Sequence, residues 1–238
     1  MEKQKILVCD DDKEIVSAIE IYLTQEGYQV LKAYNGLEAL EILRQEEVHL
    51  LILDVMMPKM DGIQATLKIR ETMRVPIIIL SAKSEDSDKI IGLNIGADDY
   101  VTKPFNPQEL IARVRSQLRR YMELGARSGN QIESENIYRN GGLVIDDGQK
   151  QVTVDGELVK LTPTEYNILL FLVRNAGKVY SIDQIYQYIW NERAIAADNT
   201  VAVHIRRIRE KIEIDPKEPR YLKVVWGVGY KIEKMEEW

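Results

Sequence analysis

Residues 49–62 read His49-Leu-Leu-Ile-Leu-Asp54-Val-Met-Met-Pro58-Lys-Met-Asp61-Gly62, an apolar run that stops on a carboxylate with no basic residue before Lys59. A charge set directly against an apolar strand is unfavourable unless something compensates it. Three other runs in the first half stop in the same way: Lys5 to Cys9 at Asp10-Asp11-Asp12, Val75 to Leu80 at Ser81, and Asp99 to Thr102 at Lys103-Pro104. Short β-rich runs that alternate with helical patterns predict parallel strands joined by right-handed crossovers, so that all strand C-terminal ends lie on one edge of one sheet. In open α/β sheets that edge is where ligands bind. Here it gathers three or four carboxylates, one hydroxyl and one ammonium, a set suited to a divalent metal and a phosphoryl group.

Strand-like runs at about 5–9, 29–33, 49–53, 76–80 and 99–102 alternate with helical patterns at about 13–26, 36–46, 62–73, 84–95 and 107–121. The fold expected is therefore a five-stranded, doubly wound parallel sheet over residues 1–121. Pro107 suits a first helical turn, and Gly62 opens the third helix after the Pro58 to Asp61 loop. Small, polar, aperiodic residues from Gly125 to Gln131 then mark a linker within 122–136. Residues 137–238 read as an α+β domain of short strands (Leu143 to Ile145, Gln151 to Val154), three helices and a terminal hairpin. Two of these helices open with capping-box patterns, Thr162 to Glu165 and Ser181 to Gln184. The hairpin joins Tyr221 to Trp226 with Tyr230 to Glu233 through Gly227-Val228-Gly229.

A length of 238 residues suits two domains, each able to bury a core. The net charge of -6 lies wholly in residues 1–136, with 17 Lys plus Arg against 23 Asp plus Glu; residues 137–238 carry 15 of each. Nucleic acid binding is thus disfavoured in the first half, and in the second it requires basic residues concentrated on one surface. The single cysteine, Cys9, sits in an apolar run, so the chain suits a reducing cytosol. No apolar stretch is long enough to span a bilayer, and the start leads directly into a strand. A soluble, cytoplasmic protein without a membrane partner is expected.

Mg2+ takes oxygen ligands and keeps several waters, so one or two carboxylates suffice. Asp11 and Asp54 are expected as direct ligands, Asp10 through water, and Met56 through its backbone carbonyl. A carboxylate can attack phosphorus to give an acyl phosphate when cations neutralise the transferring oxygens; Mg2+ and Lys103 would supply them, with Ser81 as a hydrogen-bond donor. A dehalogenase-type phosphatase would need a second aspartate where this chain has Met56. A dinucleotide-binding domain would need a glycine-rich turn after the first strand, where three aspartates would repel a pyrophosphate.

The motifs Ile-Leu-Val-Cys-Asp-Asp-Asp12, Leu-Ile-Leu-Asp54 through Asp61-Gly62, Ile-Leu-Ser81-Ala82 and Gly-Ala-Asp98-Asp99-Tyr100-Val-Thr-Lys103-Pro104-Phe105 resemble the flavodoxin-like receiver domain of two-component response regulators. The resemblance implies that Asp54 accepts a phosphoryl group from a sensor histidine kinase, with Mg2+ on Asp10, Asp11 and Asp54. It also implies that Ser81 and Tyr100 move on phosphorylation. The protein is then a phosphoacceptor and not an enzyme, with at most self-phosphotransfer and slow self-dephosphorylation.

In the last predicted helix, Val201, Ile205, Ile208 and Ile212 form one apolar stripe. The opposite face would carry Asn199, Val203, Arg206, Arg207 and Glu210, with Ala202, His204, Arg209 and Lys211 on the flanks. Three helices and a glycine-rich hairpin make a winged helix-turn-helix whose third helix reads the major groove. The Leu161 to Tyr166 block, the Thr200 to Arg209 string and the segment ending Gly-Val-Gly-Tyr230 resemble the effector domain of the OmpR/PhoB class. Many members have arginine where this chain has Trp226, which with Gly227 is assigned to the wing contact with DNA; in this the chain resembles regulators of the vancomycin-resistance type. Ala202 stands where aspartate is common and is given no base contact.

The class pattern implies a homodimer on phosphorylation, through the fourth and fifth predicted helices and fifth strand, binding promoter DNA with RNA polymerase as a further partner. Its ion pairs would be Lys89 with Glu109, Asp99 with Arg113, and Asp98 with Arg119 or Arg120. The rival is a binding module whose receiver dimerises constitutively; such degenerate receivers usually lose an acid or the lysine, and this chain has all of them.

Overall fold

The 49–54 run forms β3 (Leu50–Asp54), in which every residue is buried. A near-continuous apolar strand of this kind belongs in the middle of a parallel sheet covered on both faces. The chain is described here from a computed structural model, over residues 3–82, 95–125, 136–190 and 198–235, and it divides into two units, Met1–Tyr121 and Met122–Trp238.

In the first unit β3 lies between β1 (Lys5–Cys9) and β4 (Ile77–Ala82); β2 (Gln29–Ala33) and β5 (Asp99–Lys103) form the edges, giving the order β2-β1-β3-β4-β5 with all pairs parallel. The helices are α1 (Lys13–Gln25), α2 (Gly36–Gln45), α3 (Gly62–Thr72) and α4 (Pro107–Gly125). The helix expected over 84–95 lies outside the described residues apart from its last position. The α1 stripe Val16, Ile19 and Leu23 packs with Ile6, Val8, Leu50, Ile52, Ile78, Leu80 and the α4 residues Leu110, Val114 and Leu118 in one core cluster. Strand order reverses between β1 and β3, so the crevice beyond their carboxyl ends is the topological switch point. Register sets Cys9 opposite Leu53, Asp54 opposite Leu80 and Ser81 opposite Thr102, which brings the polar residues ending these strands to one edge.

The second unit begins with the antiparallel sheet β6 (Ile137–Asn140), β7 (Leu143–Asp146), β8 (Gln151–Val154) and β9 (Glu157–Leu158). Three helices follow, α5 (Pro163–Arg174), α6 (Ile182–Trp190) and α7 (Asp198–Ile212), then the hairpin β10 (Leu222–Val225) and β11 (Gly229–Ile232). Both capping boxes form. Thr162 N donates to Glu165 Oε2 at 2.8 Å and Glu165 N to Thr162 Oγ1 at 3.4 Å; Ser181 N donates to Gln184 Oε1 at 2.9 Å and Gln184 N to Ser181 Oγ at 3.2 Å. Reciprocal bonds between Tyr180 and Tyr230, both 2.9 Å, tie the hairpin to the turn before α6. A β-carbon on Gly229 would lie 1.9 Å from the Tyr180 carbonyl oxygen, so only glycine permits that approach.

Candidate functional site

The three consecutive aspartates have three different settings. Asp12 is the α1 N-cap and accepts from Glu14 N at 2.8 Å and Ile15 N at 3.4 Å. Asp11 is exposed. Asp10 is fully buried, accepts from Asp12 N at 3.0 Å, and turns its other oxygen to Lys103 Nζ at 2.6 Å. The same ammonium lies 2.6 Å from Asp54 Oδ1, while Asp54 Oδ2 accepts from Met56 N at 2.9 Å. Carboxylate oxygens of Asp10, Asp11 and Asp54 all lie within 4.8 Å of one another. Burial pushes the Asp54 carboxyl above the usual range, against the pull of the Lys103 ion pair. Lys103 titrates higher than usual although burial opposes its charge, because hydrogen bonds to Asp10 and Asp54 hold its proton. A site that keeps two buried carboxylates 2.6 Å from one ammonium and a third acid beside them demands positive charge, which is what a divalent cation supplies.

The loop after β3 is built around this carboxylate. Gly62 N donates to the Val55 carbonyl at 2.9 Å, and a β-carbon on Gly62 would lie 2.1 Å from the Asp54 carbonyl oxygen. The sequence placed Gly62 only as a helix start; the close approach explains the residue type. Ser81 is buried at the end of β4, and its hydroxyl donates to the Ala82 carbonyl at 3.1 Å. Tyr100 is half-buried on β5, and Met56 is largely exposed.

The acidic and basic residues expected at a dimer face are placed unevenly. Arg113 holds Asp99 through Nη1 at 2.9 and 3.1 Å and Glu109 through Nη2 at 2.9 Å, all within one chain. Asp98, expected to meet Arg119 or Arg120 of a second copy, is fully buried within the chain, where it takes Arg70 Nη2 at 2.7 Å and accepts from Ile77 N at 3.0 Å. Arg70 also donates to the Gly96 and Val75 carbonyls at 2.8 and 2.7 Å, so its guanidinium clamps the approach to β5. Arg120 is buried and donates to Ser116 Oγ at 2.8 Å, whereas Arg119 is exposed. Lys89 lies outside the described residues.

On α7 the helical-wheel reading requires a larger correction. Val201, Ile205, Ile208 and Ile212 face the core as expected, but Val203, His204 and Arg207 are buried too. Arg207 Nη2 lies 2.9 Å and Lys211 Nζ 2.6 Å from the two oxygens of Glu165, itself fully buried at the start of α5. His204 packs against the Trp190 ring at 5.9 Å between centroids. Arg209 Nε donates to the Leu222 carbonyl at 2.8 Å, with its guanidinium 5.9 Å from the Tyr230 ring centroid. Apolar periodicity missed this second buried arc because the charge that compensates it is 42 residues away in sequence, in a glutamate read only as a cap. Arg206 projects outward, with 68 % of its side chain exposed. The side chain of Asn199 lies outside what is described. At the hairpin tip Trp226 is 88 % exposed beside Gly227, whose φ is 72°.

Comparison with known proteins agrees with this architecture. The response regulator receiver domain matches residues 6–115, and the C-terminal domain of transcriptional regulatory proteins matches 156–232. The solved structure of the response regulator DrrB, an OmpR/PhoB homologue of Thermotoga maritima, is 37 % identical, covering 98 % of this chain and 100 % of that one at a TM-score of 0.51. That of the RitR C128S mutant is 27 % identical, covering 97 % and 99 %, at a TM-score of 0.74. The chain belongs to the OmpR/PhoB class of response regulators, a receiver followed by a winged-helix DNA-binding domain. Within that class it is similar to the regulatory protein VanR of Enterococcus faecium, 46 % identical over 231 residues, 97 % of this chain and 99 % of that protein. VanRc of Enterococcus gallinarum is 44 % identical over the same shares of the two chains. Among the described residues no helix is long and apolar enough to cross a membrane.

Proposed function

We propose that Asp54 accepts a phosphoryl group from a sensor histidine kinase and that this switches receiver dimerisation and promoter binding. The observation that carries the reading is Lys103, whose ammonium already sits 2.6 Å from both Asp10 and Asp54 in the position where charge on a transferring phosphoryl group must be neutralised. In the transfer an Asp54 carboxylate oxygen forms the bond to phosphorus as the bond to the kinase imidazole nitrogen breaks. Asp10, Asp11, Asp54 and the Met56 carbonyl would hold Mg2+, which supplies further positive charge to the phosphoryl oxygens. Ser81 turns from the Ala82 carbonyl toward the acyl phosphate, and Tyr100 follows it inward, altering the β5–α4 surface. The self-phosphotransfer and slow self-dephosphorylation expected of such a site belong to this proposal, as do the homodimer, the RNA polymerase contact and a cytoplasmic location.

Incubation with acetyl phosphate and Mg2+ followed by intact-mass analysis tests the assignment. A single phosphoryl adduct is expected, absent from Asp54→Ala and from Asp11→Ala. Full labelling of the Asp54→Ala variant would overturn the acceptor, and normal labelling of Asp11→Ala in chelator would overturn the metal site.

A further inference from the structure

Of the four cations on α7 between Arg206 and Lys211, three are engaged inward: Arg207 and Lys211 on Glu165, and Arg209 on the Leu222 carbonyl and the Tyr230 ring. Arg206 is the most exposed of the four, with 68 % of its side chain accessible against 31 % for Lys211, and its ion pair is with Glu210, one helical turn on. That contact is made by one edge of the guanidinium: Arg206 Nε donates to Glu210 Oε1 at 2.9 Å. A guanidinium is planar, with a fixed fork of donors. Binding a carboxylate oxygen through Nε fixes the plane and leaves the terminal Nη1/Nη2 fork to meet a second pair of acceptors. Guanine presents such a pair, O6 and N7, in the major groove.

Glu210 is otherwise badly placed for a helix that binds DNA. It lies in the last turn of α7, where the helix dipole opposes negative charge. It is also 46 % exposed on the face that carries Arg206, where it would repel phosphates. An exposed pair of this kind contributes little to stability, so its effect on the fold is small.

We infer that Glu210 is a positioning and specificity-determining residue, holding the Arg206 guanidinium by Nε so that its terminal fork is preset for a guanine and withheld from phosphate. This rests on α7 being the reader helix and goes beyond it, since the base preference is assigned to the pair and not to Arg206 alone. With Glu210 in place, Arg206 discriminates. Without it, the arginine becomes a mobile cation that serves any sequence.

The test is selection from a randomised duplex library with the full chain treated with acetyl phosphate and Mg2+, followed by titration of the selected duplex and its single-base variants. Arg206→Ala should flatten preference at one guanine. Glu210→Ala should lower preference at that same guanine about tenfold while tightening binding to unrelated duplex severalfold, and Glu210→Gln, which keeps the acceptor oxygen, should restore part of the preference. A merely structural role would weaken all duplexes together. If Arg206→Ala erases the guanine preference and Glu210→Ala leaves it intact, the inference about Glu210 fails and the reader assignment stands. If Arg206→Ala changes nothing, the reader assignment itself fails, and the inference with it.

Discussion

Asp54 opposes the fold that holds it. Burial raises its carboxyl above the ordinary value, so its ionised form is disfavoured in the native state. The contribution of this position to stability is therefore fully present below the unfolded carboxyl value, about 3.9, and is lost as pH rises through the folded one. Asp54→Asn should stabilise the receiver at pH 7, with the gain closing as pH falls toward the carboxyl range. Hydrogen exchange of the β3 amides at the two pH values measures this, and faster exchange in the variant at pH 7 would contradict it. Gly62→Ala should act on the same carboxylate through the backbone, because the added carbon meets the Asp54 carbonyl oxygen at 2.1 Å; slower phosphorylation from acetyl phosphate, with Mg2+ present, is the expected readout. At this scale the sequence was legible wherever a polar residue ended an apolar run: Asp10, Asp54, Ser81 and Lys103 are all at the one edge that alternation and crossover handedness specified. What it did not disclose was the division of labour among the three aspartates, which depends on the turn each backbone makes.

The element that departs from its periodicity is α7. An apolar stripe says where a helix touches a core, and that stripe is where it was expected. It says nothing about a second contact made by charge, and Glu165 supplies one, binding Arg207 and Lys211 from the start of α5. Removing one partner of a buried pair leaves an uncompensated charge, so Glu165→Ala should destabilise the second unit by about 3 to 5 kcal/mol, read as a lowered midpoint in urea followed by Trp190 fluorescence. Arg207→Ala should likewise lower stability and weaken binding to all duplexes evenly, without a change in preference at any base. A loss of preference at one base with stability unchanged would return Arg207 to the reader face. Asp98 follows the same logic in the receiver: it binds Arg70, on a helix 28 residues earlier, and no local pattern announces that pair.

For the whole molecule, the two units and their order were legible from composition and punctuation, because parallel βα repeats and a winged helix differ in period, spacing and turn chemistry. The charge count pointed to the second unit as the one able to bind DNA; on α7 Arg207 is spent inside it on Glu165, while Arg206 and, at the wing, Trp226 are exposed. Pairing two winged helices on one duplex would add to the affinity that each has alone. Whether phosphorylation of Asp54 governs DNA binding is decided by titrating one promoter duplex with the full chain, with and without acetyl phosphate and Mg2+, for wild type and Asp54→Ala. The donor should tighten wild-type binding at least tenfold, together with dimer formation, and leave Asp54→Ala unchanged. Equal affinity for wild type with and without donor, at full labelling of Asp54, would contradict it and identify the receiver as a constitutive dimerisation module.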